Sequence, residues 1–108
     1  MSLYELENIY PSILQTIKSD QKDLTERQKG VLLTIYLNKN LKTVRSLSIH
    51  LSISKAAVSR AIDTLESYGF VRRMPDNKDK RSIIINKTVQ GSVYLDNWNE
   101  SLEKAKKN

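Results

Sequence analysis

The chain has 108 residues, which suits one domain, and its 28% of charged and 39% of hydrophobic residues are typical of a globular protein. It has no cysteine and one histidine, which excludes disulfides, iron–sulfur clusters and zinc fingers, so we expect no metal site and no cofactor. No apolar run approaches the ~20 residues that a bilayer span requires, and no export signal is present, so the sequence predicts a cytoplasmic protein.

The net charge of +6 is concentrated in the middle of the chain. Residues 41–87 carry ten basic and four acidic side chains, whereas residues 1–40 and residues 88–108 each carry equal numbers of the two. A positive field between neutral ends favours a polyanion, such as nucleic acid, as partner. A generally basic, solvated surface is the alternative interpretation.

The first predicted helix is amphipathic and contains a proline. Because Pro11 interrupts the apolar pattern, we expect a helix from about Ile9 or Pro11 to Lys18, preceded by a short or kinked turn. Its apolar residues recur at helical spacing and are Leu6, Tyr10, Ile13 and Ile17.

Capping residues predict the next three helices. Thr25 and Gln28 have the spacing of a capping box, which starts a second helix that ends near Asn38. Thr43 is predicted to cap a third helix, and Ser54, after a short turn, a fourth. The apolar residues on one face of this fourth helix are Val58, Ala61, Ile62, Leu65 and Tyr68.

A change of pattern follows Gly69, which has the place of a left-handed residue at a helix end. Residues 70–74 and 82–86 favour strands, and the polar segment 75–81 between them predicts a hairpin loop. Thr88 is then predicted to cap a last helix, whose apolar face carries Leu95, Trp98 and Leu102.

These elements together predict a mostly α (α+β) winged helix-turn-helix in a single domain over residues 1–108. The helix-turn-helix occupies residues 43–68, and the two-stranded β-hairpin wing occupies residues 70–86. The amphipathic helices within residues 1–18 and 89–108 have more apolar surface than a small core needs, so we expect them to form a dimer interface.

Three segments in this order resemble the MarR family of transcription regulators. Residues 24–28 resemble the start of the family's second helix, residues 53–73 its recognition helix and exit into the wing, and residues 76–81 its wing signature. The resemblance implies a dimeric, sequence-specific regulator of double-stranded DNA, acting as a repressor. Its recognition helix would enter the major groove and its wing the minor groove.

Each predicted site residue has a role that follows from this arrangement. The DNA-binding residues are Ser54, Lys55, Ala56, Ser59, Arg60, Arg72, Lys78, Lys80 and Arg81. Asp63 shares the outward face of the fourth helix. The resemblance implies a structural role in the wing for Arg73, Asp76 and Asp79, with Arg73 paired to a wing aspartate and Asp79 holding Arg81 or Arg73. The predicted dimer interface consists of Leu6, Tyr10, Ile13, Ile17, Leu95, Trp98 and Leu102.

The sequence contains no phosphate loop, nucleophile elbow or metal-ligand spacing, so we do not expect an enzyme. Two alternatives remain: a winged-helix protein-interaction module, and a weakly specific architectural or replication-associated DNA binder. The operator, the sign of regulation and any small-molecule effector are left open. So is the dimer geometry, because family members usually continue through a further C-terminal helix.

Overall fold

The computed structural model describes residues 4–107, with side chains from residue 5 to residue 104. The elements within this range are α1 (Tyr4–Lys18), α2 (Glu26–Leu37), α3 (Val44–Leu51), α4 (Lys55–Ser67), β1 (Val71–Pro75), β2 (Ile83–Lys87) and α5 (Val89–Lys107). The predicted mostly α-helical winged helix-turn-helix is therefore confirmed. The described residues form two compact units, one of residues 24–92 and one of residues 4–23 with 93–107. Within residues 4–107, no helix combines the length and the apolar character of a membrane span.

Side-chain caps fix the starts of α2 and α3. The Thr25 hydroxyl accepts a hydrogen bond from the Gln28 backbone at 3.1 Å, and the Gln28 side chain accepts one from the Thr25 backbone at 3.0 Å. This confirms the predicted capping box. Thr43 and Ser46 form a second reciprocal pair, with both bonds at 3.0 Å. That box is less evident from sequence, because the residue expected at the third helical position is glutamate or glutamine.

The turn into α4 uses one left-handed residue, and so does the turn out of it. Ser52 has a φ of 56° between α3 and α4, and Ser54 then caps α4 by accepting a hydrogen bond from the Ala57 backbone at 3.0 Å. Gly69 has a φ of +80° after α4. Because left-handed backbone is least costly for glycine, the chain can reverse there directly into β1.

The core of the unit formed by residues 24–92 lies where α2, α3, α4 and the hairpin meet. Nine large side chains have at most 1% of their surface exposed: Val31, Leu32, Ile35, Leu47, Val58, Ile62, Leu65, Val71 and Ile85. Each such burial contributes roughly 1.5–3 kcal/mol. Tyr68, predicted on the same face as Leu65, is half-buried. The core thus holds the inward face of α4 in place and leaves its opposite face to solvent.

The Tyr36 hydroxyl connects α2 to both ends of the hairpin. It donates to the Phe70 carbonyl at 2.7 Å and accepts from the Thr88 backbone N–H at 3.0 Å. The Thr88 hydroxyl donates to the Gly69 carbonyl at 2.6 Å and accepts from the Gly91 backbone at 2.9 Å, which confirms its predicted capping of α5. One cluster of hydrogen bonds therefore fixes the base of the wing and the first turn of α5.

In the other unit, α1 is longer than predicted. We expected Pro11 to start or kink the helix, but α1 is helical from Tyr4 to Lys18 with Pro11 inside it. Proline removes one backbone hydrogen bond. The bond that is lost is the one to the Glu7 carbonyl, four residues earlier. The buried Ser12 donates its hydroxyl to a different carbonyl, that of Ile9, at 2.7 Å. The helix continues through the proline.

Candidate nucleic-acid interface

The outward face of α4 carries cations and small polar side chains. Lys55, Ala56 and Arg60 are exposed, and Ser59 is half-buried beside them. Within residues 5–104, neither Lys55 nor Arg60 has an acidic partner. Since no carboxylate competes for them, these cations are available to an anionic partner. Ser54 lies at the N-terminus of the same helix, where its hydroxyl caps α4.

Arg73 joins the hairpin to α4. Its guanidinium lies 2.7 Å from the Asp63 carboxylate and 2.8 Å from that of Glu66, and it donates to the Ser59 carbonyl at 3.2 Å. The Arg73 backbone also donates to the second Glu66 oxygen at 2.9 Å. Charge-assisted bonds of this kind are the stronger ones in proteins. They hold the first strand of the wing against the side of the helix.

The predicted pairing of Arg73 with a wing aspartate is therefore wrong. Arg73 faces the buried Ile85 across the hairpin, so its side chain lies on the face of the sheet that packs on α4. There it meets Asp63 and Glu66, whose three-residue spacing places both carboxylates on the same side of the helix. This spacing was the signal in the sequence, and Glu66 was missing from the predicted site.

These contacts shift the pKa of both partners. The pKa of Glu66 is lowered, first by the hydrogen bond from the Arg73 backbone and next by the bond from its guanidinium. Burial would lower the pKa of Arg73, but the bonds to Glu66 and Asp63 outweigh it, and the pKa is raised. Both groups therefore stay charged at neutral pH. The same arginine thus offsets one of the two negative charges on the flank of α4.

The two wing aspartates shape the loop between β1 and β2. Asp76 accepts a hydrogen bond from the Lys78 backbone at 3.0 Å. Asp79 accepts one from the Arg81 backbone at 3.1 Å and one from the Ser82 hydroxyl at 3.2 Å. Aspartates that bond to backbone two residues further on are typical of tight turns. Both carboxylates thus order the loop locally. The Asp79 carboxylate also lies 3.5 Å from the exposed Arg81 guanidinium, so of the two predicted partners of Asp79, Arg81 and Arg73, it is Arg81 that it meets.

The remaining cations of the wing point to solvent. Lys78, Lys80 and Arg81 are exposed in the loop, and Arg72 is exposed on the strand face opposite to Arg73. Beside Arg72 lies a groove of about 510 Å³, which is also lined by Lys42, Met74, Asn86, Lys87 and Thr88. Lys42 and Lys87 extend the positive surface of the wing. Neither lysine was among the predicted DNA-binding residues, because both lie outside the three segments that resemble the MarR family.

The apolar stripe of α1 is open to solvent. Leu6, Tyr10, Ile13 and Ile17 are exposed by 47–65% of their surface. On α5, Leu95 and Trp98 are half-buried, and Leu102 is exposed by 38%. Leu3, which continues the spacing of the α1 stripe, and the side chain of Ala105 lie outside the described residues. Several apolar side chains of both predicted interface helices are thus uncovered in a single copy of the chain.

The winged-helix fold is similar to those of known proteins. The model of the MarR family matches residues 24–83. A mutant of MarR from E. coli, solved in complex with operator DNA, is similar at 28% identity and a TM-score of 0.68, over 91% of this chain and 64% of that one. A MepR mutant from S. aureus, bound to an oligodeoxyribonucleotide, has a TM-score of 0.80 at 18% identity, over 97% of this chain and 75% of that one.

The YusO protein of Bacillus subtilis is similar at a TM-score of 0.73 and 22% identity, over 94% of this chain and 70% of that one. The likenesses below 25% identity support the fold alone. No curated protein sequence matches the chain. The family match covers more than half of the residues and includes the helix-turn-helix and most of the wing. The chain therefore belongs to the MarR family, whose members are transcriptional regulators.

Proposed function

We propose that the chain is a sequence-specific repressor that binds double-stranded DNA as a homodimer in the cytoplasm. The observation that carries this proposal is the outward face of α4, where Lys55 and Arg60 have no acidic partner within residues 5–104. The operator DNA held by the MarR mutant from E. coli supports the same kind of partner. No catalytic step enters the proposal.

The dimensions of α4 suit the major groove. An α-helix with its side chains is ~10–12 Å wide, and the major groove of B-DNA is about 12 Å wide. Arg60 can bond bidentately to guanine, Ser59 can donate to a base or a phosphate, and Ala56 can contact a thymine methyl. Arg73 offsets one of the two negative charges of Asp63 and Glu66, which reduces the repulsion between this side of α4 and the phosphates.

The wing suits the minor groove next to it. Its loop carries Lys78, Lys80 and Arg81 on a short hairpin whose turn is ordered by Asp76 and Asp79. The minor groove presents nearly the same pattern for A·T and T·A pairs, so a lysine there reads groove width more than base identity. We therefore assign to Lys78 a contribution to affinity, with a preference for narrow A/T-rich flanks.

A homodimer is proposed because the apolar stripe of α1 is uncovered. Its exposed side chains form a contiguous helical face, and such faces usually mark an interface. In a two-fold dimer the same patch meets its own copy, and the partly exposed residues of α5 can add to the contact. Two recognition helices would then read half-sites about one helical turn apart, ~34–36 Å. Where such a site overlaps a promoter, the bound dimer would block access to it, which is our reason for proposing repression.

Selection of bound duplexes from a random pool tests this function. We expect enrichment of an inverted repeat whose half-sites are centred about 10–10.5 base pairs apart. Salt-dependent binding without any enriched sequence would instead identify a weakly specific architectural protein. An absence of binding to duplex DNA at low salt would contradict the proposal and favour a protein partner for the basic face.

A further inference from the structure

A second cationic groove lies on the flank of α4, between that helix and the start of α2. Its volume is about 170 Å³, and it is lined by Thr25, Arg27, Gln28, Ala57, Arg60, Ala61 and Thr64. Two arginines from different helices therefore border one small concavity. Besides Arg60, its α4 side consists of two alanines and a threonine, whose small side chains leave room for a group to approach. Drug-sized ligands need pockets of ~300 Å³ or more, so this groove suits a compact group such as phosphate.

The charges around the groove favour an anion. Arg27 is exposed, and within residues 5–104 neither Arg27 nor Arg60 has an acidic partner. The nearest carboxylate along the chain, Glu26, is 3.4 Å from the Lys29 ammonium and does not line the groove. The two acidic residues of α4 are bound by Arg73. A guanidinium that is not paired with a carboxylate can donate two parallel hydrogen bonds to two oxygens of one phosphate.

The position of the groove indicates which phosphate it would hold. Arg60 belongs both to the groove and to the outward face of α4, so the groove borders the surface proposed to enter the major groove. A helix nearly fills the major groove in width, so side chains at the outer edge of its flank lie near the sugar–phosphate backbone, whereas those nearer its outward face can reach base edges. Arg27, which comes from the neighbouring helix, lines the same groove.

We propose that Arg27 binds a backbone phosphate of the DNA that α4 reads, with Arg60 at the inner edge of the same groove. Arg27 thus adds affinity that is independent of DNA sequence, as phosphate contacts do, and fixes the angle at which α4 enters the major groove of the DNA. The inference rests on the proposed function. A free phosphate ion has the same chemistry as the DNA backbone, and the experiment separates these two sources.

The test compares Arg27→Gln with Lys39→Gln, which removes one positive charge from an exposed lysine beyond the opposite end of α2. The affinity of each variant and of the wild type for one random-sequence 30-base-pair duplex is measured over a series of salt concentrations. We expect Arg27→Gln to bind several-fold more weakly at low salt. Its slope of log affinity against log salt should be less steep by about 0.9 for each bound protomer. Lys39→Gln should stay close to the wild type.

If the wild type binds DNA and the two variants weaken binding equally, the assignment of Arg27 is overturned while the proposed function stands. A wild type that does not bind the duplex would overturn the proposed function and this inference with it. In a second arm, inorganic phosphate is titrated while the NMR signal of the Arg27 Nε–H group is followed. A saturating shift at millimolar phosphate, together with an Arg27 signal that DNA leaves unchanged, would identify a free anion as the occupant and contradict our assignment.

Discussion

Arg73 and Glu66 are joined by two hydrogen bonds, one from the backbone of the strand residue and one from its guanidinium, at 2.9 and 2.8 Å. Because the backbone bond fixes β1 itself, the pair sets how the hairpin leaves the end of α4. The guanidinium bond then orients the arginine over the flank of the helix, where it also meets Asp63. Two parts of the proposed interface are thus connected through one ion pair.

Glu66→Gln should weaken this connection and lower the free energy of unfolding. The amide keeps the shape of the side chain but loses the charge that attracts Arg73. We expect a loss of about 1 kcal/mol, which is below the ~1.5–3 kcal/mol of charged hydrogen bonds because solvent screens this partly exposed pair. Urea denaturation measures it, and Asp96→Asn, a charge removal at an exposed position of α5, is the control. A loss no greater than that of the control would contradict the role of the pair.

The same pair predicts a dependence of stability on acid. The pKa of Glu66 is lower in the folded chain than its ordinary value of 4.5, so the folded state binds fewer protons at this group than the unfolded state. Its contribution is therefore complete above about pH 4.5 and is lost as the pH falls through the lowered pKa. We expect the difference in unfolding free energy between the wild type and Glu66→Gln to shrink over this range. A difference that stays constant down to pH 3 would argue against the assignment.

Gly91 should tolerate no side chain. A Cβ at this position would overlap the Tyr36 hydroxyl and the Phe70 carbonyl, which are themselves hydrogen-bonded at the base of the wing. Gly91→Ala should therefore destabilise the chain by roughly 1–3 kcal/mol, the usual cost of overpacking. Gly30→Ala is the matched control, because nothing lies within 4 Å of its Cβ position and alanine favours a helix interior. The midpoint temperature of thermal unfolding should fall for Gly91→Ala and rise for Gly30→Ala.

Two variants of the wing distinguish the attraction of DNA by a charged side chain from the ordering of the loop by one. Lys78→Ala should weaken DNA binding for most sequences and reduce the salt slope by about one phosphate equivalent, without a change in stability. Asp79→Ala removes a negative charge, yet we expect weaker binding as well, since the bonds to the Arg81 backbone and the Ser82 hydroxyl are lost. Both variants are measured on one duplex at one salt concentration. Tighter binding by Asp79→Ala would show that the carboxylate acts by repulsion and not by ordering the loop.

Local signals in the sequence were sufficient for most of the fold. The caps at Thr25, Thr43 and Ser54 and the turn at Gly69 were predictable because each depends on a few neighbouring residues. The prediction at Pro11 was wrong, because a proline costs a helix one backbone hydrogen bond and need not end it. The partners of Arg73 were also mispredicted. Which carboxylate meets an arginine depends on how the strand packs against α4, and that is a contact between distant parts of the core.

In the candidate site, too, local features could be predicted from the sequence and contacts between distant segments could not. Helical periodicity correctly placed Lys55 and Arg60 on the outward face of α4, because one turn of helix fixes that geometry. The groove that joins Arg60 to Arg27 could not be found this way, since it forms only when α2 packs beside α4. Periodicity therefore predicts faces of single helices, while sites between helices require the packed structure.

The affinity of Arg60→Ala for the selected operator and for random duplex DNA tests the central claim most directly, namely that α4 reads DNA sequence. Arg60 is exposed in the N-terminal half of α4, the part of a recognition helix that meets base edges. We predict a loss of about 1–3 kcal/mol on the operator, a smaller loss on random DNA, and reduced discrimination at one base position. Equal losses on both duplexes, with unchanged base preference, would contradict sequence readout by this residue and identify Arg60 as a phosphate contact.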